Sequence, residues 1–272
     1  MSESIFLVEG ERFMPTRQAQ GPWDPRALHG GAPAALITSA FEQHEPSPGV
    51  DIARIGFELL RPIPFAPLRI SISTPRPGRR VQELAAELHA DLGEGKGEQL
   101  ICRASALRVA QVPNDLGKLP AGALAVETMP GPDEGKAVRF ALNDDDQDSF
   151  AASAMEMRWL DDPKALGPGR VWMRLRHPLL PGQETSSLAR LAATADFGNG
   201  ISASLPFEDF LFINADLSIH LHRQPQGEWI GMDARTLLHS SGTGLSESVL
   251  HDLHGPVGRA FQTLVVQSRT TA

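Results

Sequence analysis

Apolar positions along the chain follow two periods, and the order in which they occur repeats. Four runs that alternate every second residue follow one another: Ile52 to Leu60, Leu68 to Pro75, Val81 to Leu88 and Gln99 to Val109. "RPGRR" and "GEGKGE" separate them as turns, so the stretch reads as a meander of strands. Ahead of it, Ile5 to Phe13 reads as a short strand and "RALHGGAPAALITSAFEQ" as a helix. Leu28, Ala32, Ala35, Leu36, Ser39 and Ala40 form one small-residue face of that helix. Pro33 falls near its start, where a missing N–H costs nothing. Small side chains on one face predict close packing against something broad, such as a sheet.

The plan returns after residue 147. "AMEMRWL" and "RVWMRLRH" read as strands, and "TSSLARLAATADFG" as a helix capped by Thr185, Ser186 or Ser187. Three or four more strands follow: Phe210 to Leu221, Trp229 to Leu238, Leu245 to Leu253 and Arg259 to Gln267. "ARIGFELLRPIP" lies over "ADLSIHLHRQPQ" without a gap, Arg61 falling on Arg223. The same offset carries the region of His29 to Leu191 in the second helix. Residues 111–147 are rich in Pro, Gly and acid and read as a surface connector. The organisation expected is an N-terminal unit 1–110, a connector 111–147 and a C-terminal unit 148–272. Each unit is a helix with a sheet wrapped round it, an α+β plan made by internal duplication.

Composition narrows the partners. With 272 residues, 41% of them hydrophobic, the chain can bury a full core. A net charge of −8 argues against nucleic acid and anionic membrane surfaces. No run of 18 apolar residues occurs, so no membrane span is expected. Cys102 is the single cysteine, which excludes an intrachain disulfide and a cysteine-rich metal site. The start lacks a basic segment followed by an apolar one, which fits the cytoplasm. There is no tyrosine to act as a catalytic acid.

Candidate chemistry begins in "LAATADFGNG". Asp196 falls in what should be the last helical turn, before Gly198 and Gly200 end the helix. There the helix dipole resists negative charge by about 0.3–1 kcal/mol. Either it is a solvated acid at a fraying end, or a partly buried carboxylate serving as a base where helix meets sheet. In "INADLSIHLHR", period 2 places Asn214, Asp216, Ser218, His220 and His222 on one face. That face is either solvated or, near its start, meets the helix end. His220 and His222 suggest a metal pair, but no third ligand stands at a convincing spacing, and no metal is expected. Gln262 sits among apolar residues in the last strand, where a bulge or burial on both faces is expected. "HGG", His29, Gly30 and Gly31, opens the first helix, either for tight packing or to offer N–H groups to an anion or carbonyl oxygen.

Taken in order, these segments resemble the TesB-like (type II) acyl-CoA thioesterases. "ALHGGAPAALITSAFE" is similar to the family's first central helix, and "RPIPFAPLRISISTPRPGRRVQ" to a strand pair with an arginine-rich turn. "ADLSIHLHRQPQGEWI" and "GPVGRAFQTLVV" resemble two later family segments. The resemblance implies a double hotdog fold, hydrolysis of acyl-CoA without cofactor or metal, and a homodimer of double hotdogs. It also implies that an Asp, a Thr or Ser, and a Gln activate water. Asp196 and Gln262 match; the hydroxyl position is Asn214, a departure, although an amide can still orient water. Substrate contacts are expected from His29, Gly30 and Gly31, from an oxyanion donor beside Gly198 or Gly30, and from Arg79 and Arg80. Those two arginines, with Arg103 and Arg108, would grip the phosphates of CoA. The rival readings are a non-catalytic acyl-CoA-binding protein of the same fold and a hydratase, the latter disfavoured by a missing Asp/His pair.

Overall fold

A computed structural model describes residues 4–22, 24–93, 95, 97–112, 128–140 and 148–269. Its first half runs β1 (Phe6–Glu9), β2 (Arg12–Pro15), α1 (Gly31–Gln43), β3 (Val50–Leu59), β4 (Leu68–Arg76), β5 (Val81–Asp91) and β6 (Glu98–Ala110). After a two-residue strand, β7 (Lys136–Ala137), come β8 (Met155–Trp159), β9 (Gly169–Leu175), α2 (Ser187–Ala195) and α3 (Gly198–Ile201). The second half closes with β10 (Phe210–Asn214), β11 (Asp216–Leu221), β12 (Ile230–Leu238), β13 (Thr243–Asp252) and β14 (Gly255–Ser268).

All these strands belong to one antiparallel sheet, whose two halves meet where β3 pairs with β11. Outward from that seam the order is β3-β6-β5-β4-β2-β1 on one side and β11-β14-β13-β12-β9-β8-β7 on the other. The first six strands of each order correspond, and β7 has no counterpart. β4 (68–76) and β12 (230–238) begin and end in step, at the offset that lays Arg61 on Arg223. The helices do not share it. His29 lies ahead of α1, whereas Leu191 lies inside α2.

Each helix packs against strands of its own half, and the two pack on each other. α1 is buried on every side from Gly31 to Thr38, not along one stripe, because sheet and α2 enclose it. Leu36, Ile37 and Phe41 are almost fully buried, each worth about 1.5–3 kcal/mol. Leu28, expected on the helix face, precedes the helix and joins the core from a bridge to Gln20. The single strand expected at Ile5 to Phe13 is a hairpin of β1 and β2. Of the 111–147 segment, residues 113–127 and 141–147 lie outside the described residues. Residues 136–137 pair with β8, and Trp172 donates its indole N–H to the Pro130 carbonyl at 2.6 Å.

Arg108, expected at a phosphate, is buried and spent on structure. Its guanidinium donates to the carbonyls of Phe41, His44 and Glu45 and so closes the C-terminal end of α1. Burial pulls its pKa below the ordinary arginine value. Arg103 is exposed on the outer face, opposite Glu58 and Glu87. Arg79 and Arg80 are exposed in the β4–β5 turn.

Candidate active site

Four segments far apart in the chain meet at Asp196. Ser186 caps α2 by accepting from the Ala189 amide, which selects among the three expected caps. The helix does not end on its glycines. After Asp196 and Phe197 the chain winds again into α3, and Gly198 packs against Ser246, Ser248 and Gln262. Asp196 therefore occupies the break between two helical segments and is 9% exposed, not solvated.

The penalty expected from its own helix is answered by the other half of the molecule. α1 begins beside Asp196 with no acidic residue in its first turn and no side-chain cap on Gly30. The carboxylate supplies negative charge where the positive end of that dipole lies. The close approach depends on glycine. A Cβ at Gly30 would stand 2.8 Å from Asp196 Oδ2, and one at Gly31 would collide with the Ala193 carbonyl.

One carboxylate oxygen is held by amides. Asn214 Nδ2 and Gln262 Nε2 both donate to Asp196 Oδ1 at 3.2 Å. Gln262 also donates to the Asp196 carbonyl at 3.0 Å, and its Oε1 accepts from the Asn199 amide at 2.9 Å. The buried amide of Gln262 is thus fully engaged.

Asn214 reaches inward because of a one-residue slip. β10 pairs with β14 in the register Asn214↔Leu264, whereas β11 pairs as Ser218↔Phe261. The extra residue is Ala215, and a bulge turns the following side chains over. Asn214 consequently does not share a face with Asp216, Ser218 and His220, which line a cleft on the outer side of the sheet. Asp216 Oδ1 accepts the Thr263 amide at 2.7 Å, replacing a ladder bond beside the bulge. The bulge expected at Gln262 lies in the neighbouring strand; β14 itself is regular there.

The second oxygen, Oδ2, faces the first half. His29 Nδ1 is 3.1 Å from it and accepts the Gly31 amide at 3.0 Å. Phe197 stacks on the His29 ring at 4.3 Å between centroids, and Phe150 lies on it at 5.0 Å. Phe150 belongs to a π-helical turn, Phe150–Ala154, that sequence reasoning did not single out. Beside Asp196, a narrow cavity is walled by Pro33, Ala34, Ile37, Phe57, Ile63 and Leu217, with Cys102 at its edge. Its accessible room, about 10 Å³, is that of a single water. Burial pushes the Cys102 thiol up to about 12, so it stays neutral.

The structure therefore brings together Asp196, Asn214, Gln262, His29, Gly30 and Gly31, with Gly198 packed behind Gln262. It does not bring Arg79 and Arg80 there. Their turn adjoins the C-terminal end of α1, where Thr74 of β4 meets His44, while Asp196 is at the N-terminal end. Thirteen residues of helix separate the two, about 20 Å. Among the described residues no three His, Cys, Asp or Glu cluster to hold a metal, and no helix is long and apolar enough to cross a membrane.

Comparison with known proteins bears on the fold and the family. A hotdog-fold protein of unknown function from Alicyclobacillus acidocaldarius superposes with a TM-score of 0.69 at 15% identity, over 97% of this chain and 95% of its own. An acyl-CoA thioesterase II, TesB2, from Mycobacterium marinum gives 0.63 at 14% identity, over 100% and 96%. A TesB protein from Mycobacterium avium subspecies paratuberculosis gives 0.63 at 14% identity, over 96% and 94%. The fold is thus of the hotdog kind. No curated protein matches the sequence significantly. Two family models do: the acyl-CoA thioesterase N-terminal domain over residues 19–109, and the C-terminal domain over 127–266. With both domain models matched in order along its length, the chain belongs to the acyl-CoA thioesterase family, whose enzymes hydrolyse thioester bonds.

Proposed function

We propose that the chain is a double hotdog, with units 1–110 and 148–272 joined through 111–147, that hydrolyses acyl-CoA to free acid and CoA. The observation that carries this is the Asp196 carboxylate, held through Oδ1 by Asn214 and Gln262 and left with Oδ2 toward Gly30 and the cavity. Asp196 is the base. A water beside Oδ2 attacks the thioester carbonyl carbon from about 3 Å, giving up its proton as the C–O bond forms. Gln262 and Asn214 orient the base through Oδ1. The positive end of α1 at Gly30 and Gly31 favours the oxyanion. An amide at 214 in place of a hydroxyl still supplies a donor to the carboxylate, which supports an enzyme over a binding protein.

The cavity walls suit an acyl chain. Their room is that of a single water, so the walls must move to admit an acyl chain of any length. Arg79 and Arg80 take the phosphates at the far end of α1. Replacing both with Ala should raise KM for acyl-CoA more than for a short thioester without the nucleotide; an equal rise would remove them from the site. The reading extends to a cytoplasmic homodimer of double hotdogs, for which light scattering gives the mass.

The deciding experiment incubates the protein with a panel of acyl-CoAs and a thiol reagent. Release of free CoA is expected. A thermal shift without release would make the protein a binder of acyl-CoA, and neither effect would end the reading.

A further inference from the structure

We propose that His29 is the proton partner of Asp196, so that the base is a carboxylate–imidazole pair with one member from each half of the chain. The proposal rests on the hydrolase reading and adds a residue outside the Asp, amide and hydroxyl set that the family resemblance implies. Its ground is a conflict at one atom. His29 Nδ1 lies 3.0 Å from the Gly31 amide nitrogen and 3.1 Å from Asp196 Oδ2. An imidazole nitrogen carries either a lone pair or a hydrogen, not both. With a lone pair, Nδ1 accepts from Gly31, and Oδ2 can approach only if it carries a proton. With a hydrogen, Nδ1 donates to Oδ2. The two arrangements differ in the position of a single proton along the line between base and ring.

The ring is built to stay there. Phe197 stacks on one face and Phe150 packs beside Phe197 at the same ring, and an aromatic face stabilises a cationic ring. Its backbone amide donates to the Ala19 carbonyl, and its own carbonyl accepts from Ala32. The His29 and Asp196 side chains are 11% and 7% exposed. What faces the imidazole is the Gly31 amide from α1, Phe150 from the π-helical turn, and Asp196 and Phe197 from the α2–α3 break. Asp196 is the one charged group among them, within the described residues.

The chemistry needs such a store. A solvated carboxylate binds a proton best near pH 4, and an imidazole near 6.5. Base catalysis is most efficient near the working pH. The working base is the pair without the shared proton, Asp196 as carboxylate and His29 neutral with its hydrogen on Nε2. As water adds to the carbonyl carbon, its proton passes to Oδ2 and on to Nδ1, leaving carboxylate and imidazolium. When the C–S bond breaks, that proton returns through the pair to the thiolate of CoA. The products are the acid and the free thiol, and both residues are restored. His29 therefore acts through Asp196, as a positioning and proton-holding residue.

Two measurements decide it. His29→Asn keeps an acceptor for the Gly31 amide but cannot carry a proton. It should lower kcat by about 10², the lower end for acid–base catalysis, leave KM for acyl-CoA nearly unchanged and alter the shape of the pH profile of kcat. A raised KM with kcat and profile unchanged would overturn the proposal and make His29 a substrate contact. The second measurement needs neither turnover nor that variant to fold. Nitrogen-15 NMR of the His29 ring in wild type and Asp196→Asn should show its titration move; an identical titration would overturn the pairing. If wild type releases no CoA from any substrate, the hydrolase reading falls, and the NMR comparison still decides whether the pair exists.

Discussion

The two halves share a strand order but differ in what fills it. At the offset that relates β4 to β12, Leu84 and Ala86 of β5 fall on Ser246 and Ser248 of β13. Across the ladder, Leu84 pairs with Ala106 while Ser246 pairs with Gln262. All six are buried. In the first half this patch is aliphatic and lies under α1; in the second it is polar and lies under α3. The halves divide the work. The second holds base and amides, while the first offers the bare, glycine-lined start of a helix and an imidazole. One half keeps an apolar core where the other accepts buried polar groups that need partners.

Asp196→Asn attacks that division hardest. It keeps size and hydrogen bonding but removes the base, so kcat should fall by about 10²–10⁴ with the melting temperature nearly unchanged. Near wild-type turnover in a folded variant would remove Asp196 from the chemistry. Gln262→Ala makes the second half resemble the first. It should cost less turnover, and about 1–3 kcal/mol of stability by leaving the buried Asn199 amide unpaired. Combined with Asp196→Asn it should lose less than the sum of the two in activation energy, because the residues act on one step.

The mirror change, Ala106→Gln, places the same amide in the first half, where Leu84 and Ala104 offer no partner. Chemical denaturation should show a loss of about 1–3 kcal/mol from overpacking alone, with kcat unchanged in the folded fraction. A drop in kcat would show that the halves are less separable than this comparison claims. The smallest effect is expected at Glu42, whose Oε2 accepts from the α2 cap Ser186 at 2.5 Å. Burial raises its pKa, and the bond to Ser186 only partly counters this. A raised folded pKa means that the stabilising proton is held at low pH and lost as pH rises through that value. Glu42→Gln should therefore raise the melting temperature slightly at neutral pH and leave it unchanged in acid; a fall at neutral pH would refute the sign.

Strands were legible because their alternation is local, and the offset from β4 to β12 emerged intact. Asp196 and Gln262 stood out as polar residues in apolar settings, and the family resemblance joined them to Asn214. What stayed hidden depends on distant contacts. His29 looked like part of a helix start because nothing near it in sequence shows that Asp196, from the other half of the chain, comes to its ring. The period of two put Asn214 on one face with Asp216, Ser218 and His220, because a bulge at Ala215 leaves no mark in it. Arg108 looked like a phosphate ligand, since its targets are backbone carbonyls that sequence does not display. Gly198 and Gly200 looked like a helix end, whereas contact with β13 and β14 makes room for α3.

The outer rim of the sheet bears on how the molecule is made. The amides of Ile5 and Phe6 donate to the carbonyls of Pro178 and Leu179, both at 3.0 Å. The start of the chain is thus tied to a loop that leaves the ribosome only when well over half of the chain has been made. At about 5–20 residues per second, that interval lasts on the order of ten seconds or more. Throughout it β3, the seam strand, also waits for β11. The first half therefore emerges with an open edge on each side. During synthesis its companion for those edges is its own unborn second half, and any neighbouring nascent chain competes for the same unpaired strands.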